Sequence, residues 1–301
     1  MSDVVLFEVE DRVAVLTFNR PDRLNAWTPE LQTRYFDLLE ECVARDDVRS
    51  IVLTGAGRGF CAGADMAHLE QLSQSDGEAG SGAGEVATGD AAGAPTDPRP
   101  VTYALTVPKP VIAAINGPCA GLGLVHAVMC DLRFAAAGAK LTTAFARRGL
   151  VAEHGLSWML PRLLGPARAL DLLLSGRVVL GVEAAELGLV NRAVEDDRLL
   201  QETLDYARML AAECSPSSMA QMKRQVYGDY ERSLSDSLER ANQLMLQSFS
   251  GPDFGEGVSS FLERRPPQFA PLTTAPPSVT LGAPASATPA APASATPAAR
   301  A

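Results

Sequence analysis

Apolar residues along this chain fall into two kinds of run, and the difference predicts a layered α/β protein. Residues 4–18 alternate through Val13, Val15 and Thr17, the period of a half-buried strand. Ser50–Thr54 and Val111–Ile115 show no polar alternation, as expected of strands covered on both faces. Asn19 to Ala26 reads as loop, and a helix follows it. Thr28 is placed to cap that helix, Pro29 suits its first position, and Leu31, Tyr35, Leu38, Leu39 and Cys42 fall near one face. Further helical stretches lie between and after the buried runs.

Two segments break the pattern. From about Ser73 to Pro100 the chain turns to Gly, Ala, Ser, Asp and Glu, and Asp76, Glu78, Glu85, Asp90 and Asp97 are opposed only by Arg99. Too few large apolar residues are present to offset the entropy of ordering, which predicts a mobile insertion; a cover over a site is the second reading. Past Phe269 the chain is rich in Pro, Ala, Ser and Thr, and residues 283–290 recur unchanged as 291–298. That composition predicts an extended, solvated tail.

Composition then removes whole classes of function. At 301 residues and 47% apolar content the chain can bury a sizeable core in one or two domains. No stretch offers the ~18 uninterrupted apolar residues of a membrane span, and Met1-Ser2-Asp3 leads into a strand pattern unlike a leader peptide, so a cytoplasmic protein with no membrane partner is expected. A formal charge of −10 without a basic stripe argues against nucleic acid as a partner, although a few local Arg or Lys groups suffice for an anionic cofactor. Cys42, Cys61, Cys119, Cys130 and Cys214 are scattered and lack the spacing of a zinc site or disulfide framework, so reduced thiols are expected. His68, His126 and His154 do not sit at ligand spacing, and no metal centre is expected.

The candidate chemistry lies in two glycine-bearing corners, Gly59-Phe60-Cys61-Ala62-Gly63-Ala64-Asp65 and Asn116-Gly117-Pro118-Cys119-Ala120-Gly121-Leu122-Gly123, each following a buried apolar run. Small residues at a strand exit leave backbone N–H groups uncovered, and two such corners can aim two donors at one oxygen. At these residues the chain resembles the enoyl-CoA hydratase/isomerase family, the crotonase superfamily. Asn19 to Ala26 resembles the family's opening motif, Ser175-Gly176-Arg177 and Glu183 to Asn191 its late one, and Phe261-Leu262-Glu263-Arg264-Arg265 its C-terminal segment. The resemblance covers roughly residues 4–269.

It implies a crotonase-like α/β spiral of repeated ββα units over residues 1–200, a helical C-terminal region over 201–269 that serves oligomerisation and coenzyme A, and the tail from 270 to 301. It also implies an acyl-CoA substrate, no cofactor beyond that coenzyme A moiety, and a homotrimer or dimer of trimers. The oxyanion donors would be the N–H groups of Ala64 and Leu122, holding a thioester oxygen while an enolate forms. The second lies near the start of a helix through Val125 to Cys130, whose dipole adds positive potential. Where relatives carry Gly, Leu122 keeps the N–H. Coenzyme A would be met by Arg23, Leu24, Ala62, Asp65 and Met66, and by Phe261 and Arg264 from a neighbouring subunit.

The family's hydratases use two glutamates, and at those positions this chain has Val125 and Phe145, which cannot move a proton. One carboxylate remains nearby, Glu153 in Gly149-Leu150-Val151-Ala152-Glu153-His154-Gly155-Leu156-Ser157-Trp158. Its position resembles that of the catalytic aspartate of dienoyl-CoA isomerases, of ring-epoxide isomerases of phenylacetyl-CoA breakdown and of dihydroxynaphthoyl-CoA synthases, and Trp158 with Leu160-Pro161-Arg162 extends the second likeness. His68, Val125, Phe145 and Trp158 would line the acyl site, while His126 reads as a packed residue and His154 as structural or as an orienting partner of Glu153. Arg147 and Arg148 read as solvent-facing. Double-bond isomerisation suits a lone carboxylate best, with hydration possible if Glu153 activates water by itself. The alternatives are a non-catalytic acyl-CoA-binding protein that has lost the usual glutamates, and a thioester hydrolase or decarboxylase.

Overall fold

The computed structural model describes residues 3–65 and 97–272. Most of the insertion and of the tail, with Met66 and His68, lies outside the described residues. The alternation at the start of the chain resolves into two strands, β1 (Val5–Glu10) and β2 (Val13–Phe18), paired antiparallel. Asp11 and Arg12 turn between them with φ of 50° and 66°, the left-handed pair that a two-residue hairpin matching strand twist requires. The expected single strand is thus a hairpin, hidden because neither turn residue is the glycine that usually marks one.

From β2 onward the main sheet is parallel. β3 (Ser50–Gly55), β4 (Val111–Ile115), β6 (Leu132–Ala136) and β9 (Arg192–Val194) follow in the order β1-β2-β3-β4-β6-β9. Every residue of β3 and β4 is buried, and the pairing register explains how both faces are covered. Val13 pairs with Ser50 and Phe18 with Gly55, so Phe18 and Ser50 point to opposite faces. On one face Phe18 packs edge-on against Tyr35 of α1 (Pro29–Ala44), at 5.6 Å between centroids. On the other, the Ser50 hydroxyl donates to the Ala207 carbonyl of the helix Leu199–Glu213 at 3.0 Å. α1 begins as the sequence dictates: the Thr28 side chain accepts from the Leu31 N–H, and Pro29 fills the first turn.

A smaller sheet of β5 (Cys119–Ala120), β7 (Lys140–Thr142) and β8 (Val179–Leu180) stands beside the second corner. The helix leaving that corner, α2, spans Leu122–Val128. α3 (Leu156–Leu164), α4 (Pro166–Ser175) and α5 (Gly181–Leu187) complete the core, and α6 (Leu199–Glu213), α7 (Pro216–Asp229), α8 (Leu234–Phe249) and α9 (Pro252–Glu263) form the helical C-terminal region.

α7 is fastened to the core by Asp131, which follows α2. Its carboxylate accepts from the Val111 N–H at 2.8 Å, from Lys223 Nζ at 2.7 Å and from the Tyr227 hydroxyl at 3.0 Å. Both charges are largely removed from solvent, with side-chain exposures of 9% for Lys223 and 17% for Asp131. Removing one partner strands the other, so Asp131→Ala is expected to lower stability by about 3–5 kcal/mol in urea unfolding. A loss below about 1 kcal/mol would mean that α7 is held by apolar packing alone.

Candidate active site

The opening loop builds the first corner. Asn25 is fully buried with φ of 56°, and its side chain accepts from the Arg20 N–H at 2.8 Å and donates to the carbonyls of Ala56 at 3.0 Å and Gly59 at 2.8 Å. Arg20 in turn pairs with Asp65 at 3.0 Å and donates to the Ala26 carbonyl. The second corner is tied to the first by Asn116, whose amide donates to Gly55 at 2.8 Å and Gly57 at 3.0 Å.

The corners then run side by side. Cys61 donates to the Pro118 carbonyl at 3.1 Å and accepts from the Ala120 N–H at 3.0 Å. Glycine is required for this approach: a Cβ on Gly123 would stand 2.1 Å from the Cys61 oxygen. A Cβ on Gly63 would stand 2.9 Å from the Ala120 oxygen and 3.8 Å from the Leu122 nitrogen. Ala64 pairs with Trp27 in a parallel bridge whose bonds are Trp27 N–H to Gly63 O at 2.7 Å and Asp65 N–H to Trp27 O at 3.2 Å. In such a bridge the N–H of the central residue points away from the partner strand. Among the described residues, neither the Ala64 N–H nor the Leu122 N–H is donated to a carbonyl. α2 is seven residues long, so its first N–H groups, more than a long helix dipole, set the polarity of the second corner.

The connection from β7 to α3 spans α2. It starts at the second corner, where Gly121 donates to Thr142 at 3.1 Å, and ends with Gly155 approaching Met129 and Thr102. Glu153 and His154 lie near that end, with 3.7 Å between the carboxylate and the imidazole Nε2. His154 has φ of 53° and Gly155 of 80°, two successive left-handed residues that turn the chain sharply before α3. Glu153 is one-third exposed, with a side-chain value of 32%. Of its expected apolar neighbours, Leu156 is buried and Trp158 half-buried, whereas Val151 projects into solvent.

Val125 and Phe145 are both buried in the core. Trp158 is held between the Arg162 guanidinium, 3.9 Å from the ring centroid, and Tyr230. Leu24 gives its carbonyl to the Ala62 N–H at 3.0 Å. Arg23 is exposed and carries no ion pair among the described residues, and the same holds for Arg264. Phe261 is 82% exposed on α9. Arg147 donates to the Ser175 carbonyl at 2.8 Å, and the four cysteines other than Cys214 are buried free thiols. Among the described residues no cluster of His, Cys, Asp and Glu could hold a metal, and no helix is long and apolar enough to cross a membrane.

His126 is packed as expected, stacked on Trp27 at 3.7 Å between centroids. Burial, with a smaller contribution from His154, brings its pKa down to about 3 from 6.5. The unfolded chain therefore binds the proton more readily than the folded one, and stability must fall as pH drops from about 6.5 toward about 3. His126→Leu is expected to flatten that part of the stability profile; an unchanged slope would assign the acid sensitivity to other groups.

Arg20, Asn25, Asn116 and Asp131 are positioning residues whose roles the sequence did not show. Their partners are up to 96 residues away, and only the Asn116-Gly117 pair leaves a local signal, that of a turn.

Comparison with known proteins agrees with this architecture. Residues 8–271 match the profile of the enoyl-CoA hydratase/isomerase family. The chain is 33% identical over 282 residues to the 1,2-epoxyphenylacetyl-CoA isomerase of Escherichia coli strain K12, covering 89% of this chain and 99% of that one. It is 36% identical over 267 residues to the probable enoyl-CoA hydratase echA12 of Mycobacterium leprae, covering 87% and 88%. Among crystal structures, the enoyl-CoA hydratase EchA12_1 of Mycobacterium marinum is 50% identical with a TM-score of 0.62, covering 77% of this chain and all of that one. A probable enoyl-CoA hydratase/isomerase from Mycobacterium abscessus superposes with a TM-score of 0.76 at 30% identity, covering 89% and 99%. The chain belongs to the enoyl-CoA hydratase/isomerase family. It has the crotonase fold and is an enzyme of acyl-CoA chemistry.

Proposed function

We propose that this enzyme holds an acyl-CoA thioester oxygen between the N–H groups of Ala64 and Leu122 and shifts a double bond in the acyl group, with Glu153 carrying the proton. The observation behind this reading is the apposition of the two corners, where both N–H groups lack a carbonyl partner among the described residues. Glu153 takes a proton from one carbon of the acyl group, the electron pair moves into the thioester as an enolate, and the same proton returns at a second carbon. No water enters and no other reactant is needed, which suits one carboxylate with buried Val125 and Phe145 at the family's glutamate positions. The name of the Escherichia coli relative, an isomerase, supports the same class.

Arg23, Arg264 and Phe261 serve coenzyme A in this reading, the last two across a subunit boundary. α8 buries none of its residues yet shows an apolar stripe of Leu234, Leu238, Met245, Leu246 and Phe249, and Phe261 and Leu262 extend it on α9. A stripe of that size fits self-association as a trimer or dimer of trimers. The relatives named hydratases favour a second reading, addition of water with Glu153 as its only activating group. Purified enzyme offered 2-enoyl-, 3-enoyl- and dienoyl-CoA separates them: isomerisation interconverts positional isomers without a 3-hydroxyacyl product. Tight binding with no turnover of any ester would instead favour the binding protein that has lost chemistry.

A further inference from the structure

Among the described residues, Nε2 of His126 and the hydroxyl of Tyr35, on neighbouring rings, are both buried without a hydrogen-bond partner. Their rings meet edge-on, 5.8 Å apart at 89°, inside a box completed by Trp27, Phe18 and Phe36. The indole of the box is already engaged: Trp27 Nε1 donates to Gln32 at 3.1 Å. Leaving such an atom unsatisfied costs about 1–3 kcal/mol, and native interiors rarely do so twice in one place.

The box adjoins both corners. Trp27 is the bridge partner of Ala64, and His126 stands one helical turn, about 6 Å along α2, beyond Leu122. The stacked pair of Trp27 and His126 therefore links the two elements that carry the proposed donors. Burial keeps the imidazole neutral, so it offers one donor and one acceptor and does not select for charge.

We propose that His126 Nε2 and the Tyr35 hydroxyl form a binding position for one neutral oxygen, a hydroxyl or carbonyl, on the acyl group several carbons beyond the thioester. This rests on the acyl-CoA reading above and adds a specificity to it: the enzyme takes oxygenated acyl groups in preference to plain hydrocarbon ones. An ordered water would offer the same chemistry, and the experiment distinguishes the two sources.

The test compares two 3-enoyl-CoA esters of equal length, one all-carbon and one with a distal hydroxyl, on wild type, Tyr35→Phe and His126→Leu. Wild type is expected to favour the hydroxylated ester by about 2- to 10-fold in kcat/KM, the worth of one net hydrogen bond, and each variant to bring the ratio close to one. Tyr35→Phe removes an unsatisfied hydroxyl and keeps the ring packing, so it safeguards the result should His126→Leu fold poorly. A wild-type ratio near one, or a ratio that Tyr35→Phe leaves unaltered, overturns the proposal. So does a crystal structure with the hydroxylated ester in which a water occupies both groups. If neither ester turns over in wild type, the acyl-CoA mechanism fails and this proposal with it, whereas equal turnover of both sinks only the specificity.

Discussion

Leu122→Pro is expected to fold like the wild type and to lose about 10²–10³ in kcat, the usual cost of deleting one oxyanion donor. Proline removes the N–H together with the leucine side chain, which packs on the core, and spares the rest of the corner. Leu122 is the first residue of α2, where no intrahelical bond is made by its N–H and where proline's fixed φ already suits a helix. The residue before it also tolerates the change. Gly121 has φ of 50° and ψ of −121°, close to the mirror image of the extended conformation that a residue before proline prefers, and glycine occupies either hand. The Gly121 N–H bond to Thr142 is untouched. Leu122→Ala, which keeps the N–H, is the control and should retain most of the rate. Steady-state kinetics on both variants, with circular dichroism to check folding, decides the matter: a proline variant as fast as the alanine one would remove Leu122 from the mechanism.

Such a test is available because the backbone at the corners is legible in the sequence, although its supports are not. The buried strands β3 and β4 and the cap of α1 follow from local patterns, since burial on both faces and an N-cap leave marks within a few residues. The two corners were legible for the same reason, as small residues at strand exits. What positions them is not local. Asn25 is a fully buried amide in a left-handed conformation, and its acceptors at Ala56 and Gly59 are more than thirty residues on, so nothing near it distinguishes it from a loop asparagine. Arg20 and Asp65 meet across 45 residues, so Asp65, expected to meet coenzyme A, is also part of the corner's own frame. The phase of β2 escaped too. Ala14, Leu16 and Phe18 are its fully buried face, while Val15 and Thr17 are only partly covered; Val, Ala, Leu and Phe on both sides of the strand blur the alternation.

Glu153→Gln is expected to abolish most turnover, by about 10²–10⁴ in kcat, the range that a positioned acid/base supplies, with KM little altered. Glutamine keeps the size and hydrogen-bonding reach of the side chain but can neither accept nor return a proton. The substitution is also conformationally mild. Glu153 contributes its backbone carbonyl, not its carboxylate, to the turn before α3, accepting from the Leu156 N–H at 3.0 Å. Its side chain is one-third exposed, and among the described residues its carboxylate pairs with His154 alone, at 3.7 Å, so stability should move by less than about 1 kcal/mol. The mechanism makes a second demand on the same variant. Because one group both removes and returns the proton, wild type in heavy water should exchange deuterium into the acyl carbons whenever the proton on Glu153 escapes to solvent before it is returned. The glutamine variant should not. Retained exchange in Glu153→Gln, with or without net isomerisation, would mean that another group carries the proton, and His154 beside it would be the next to replace.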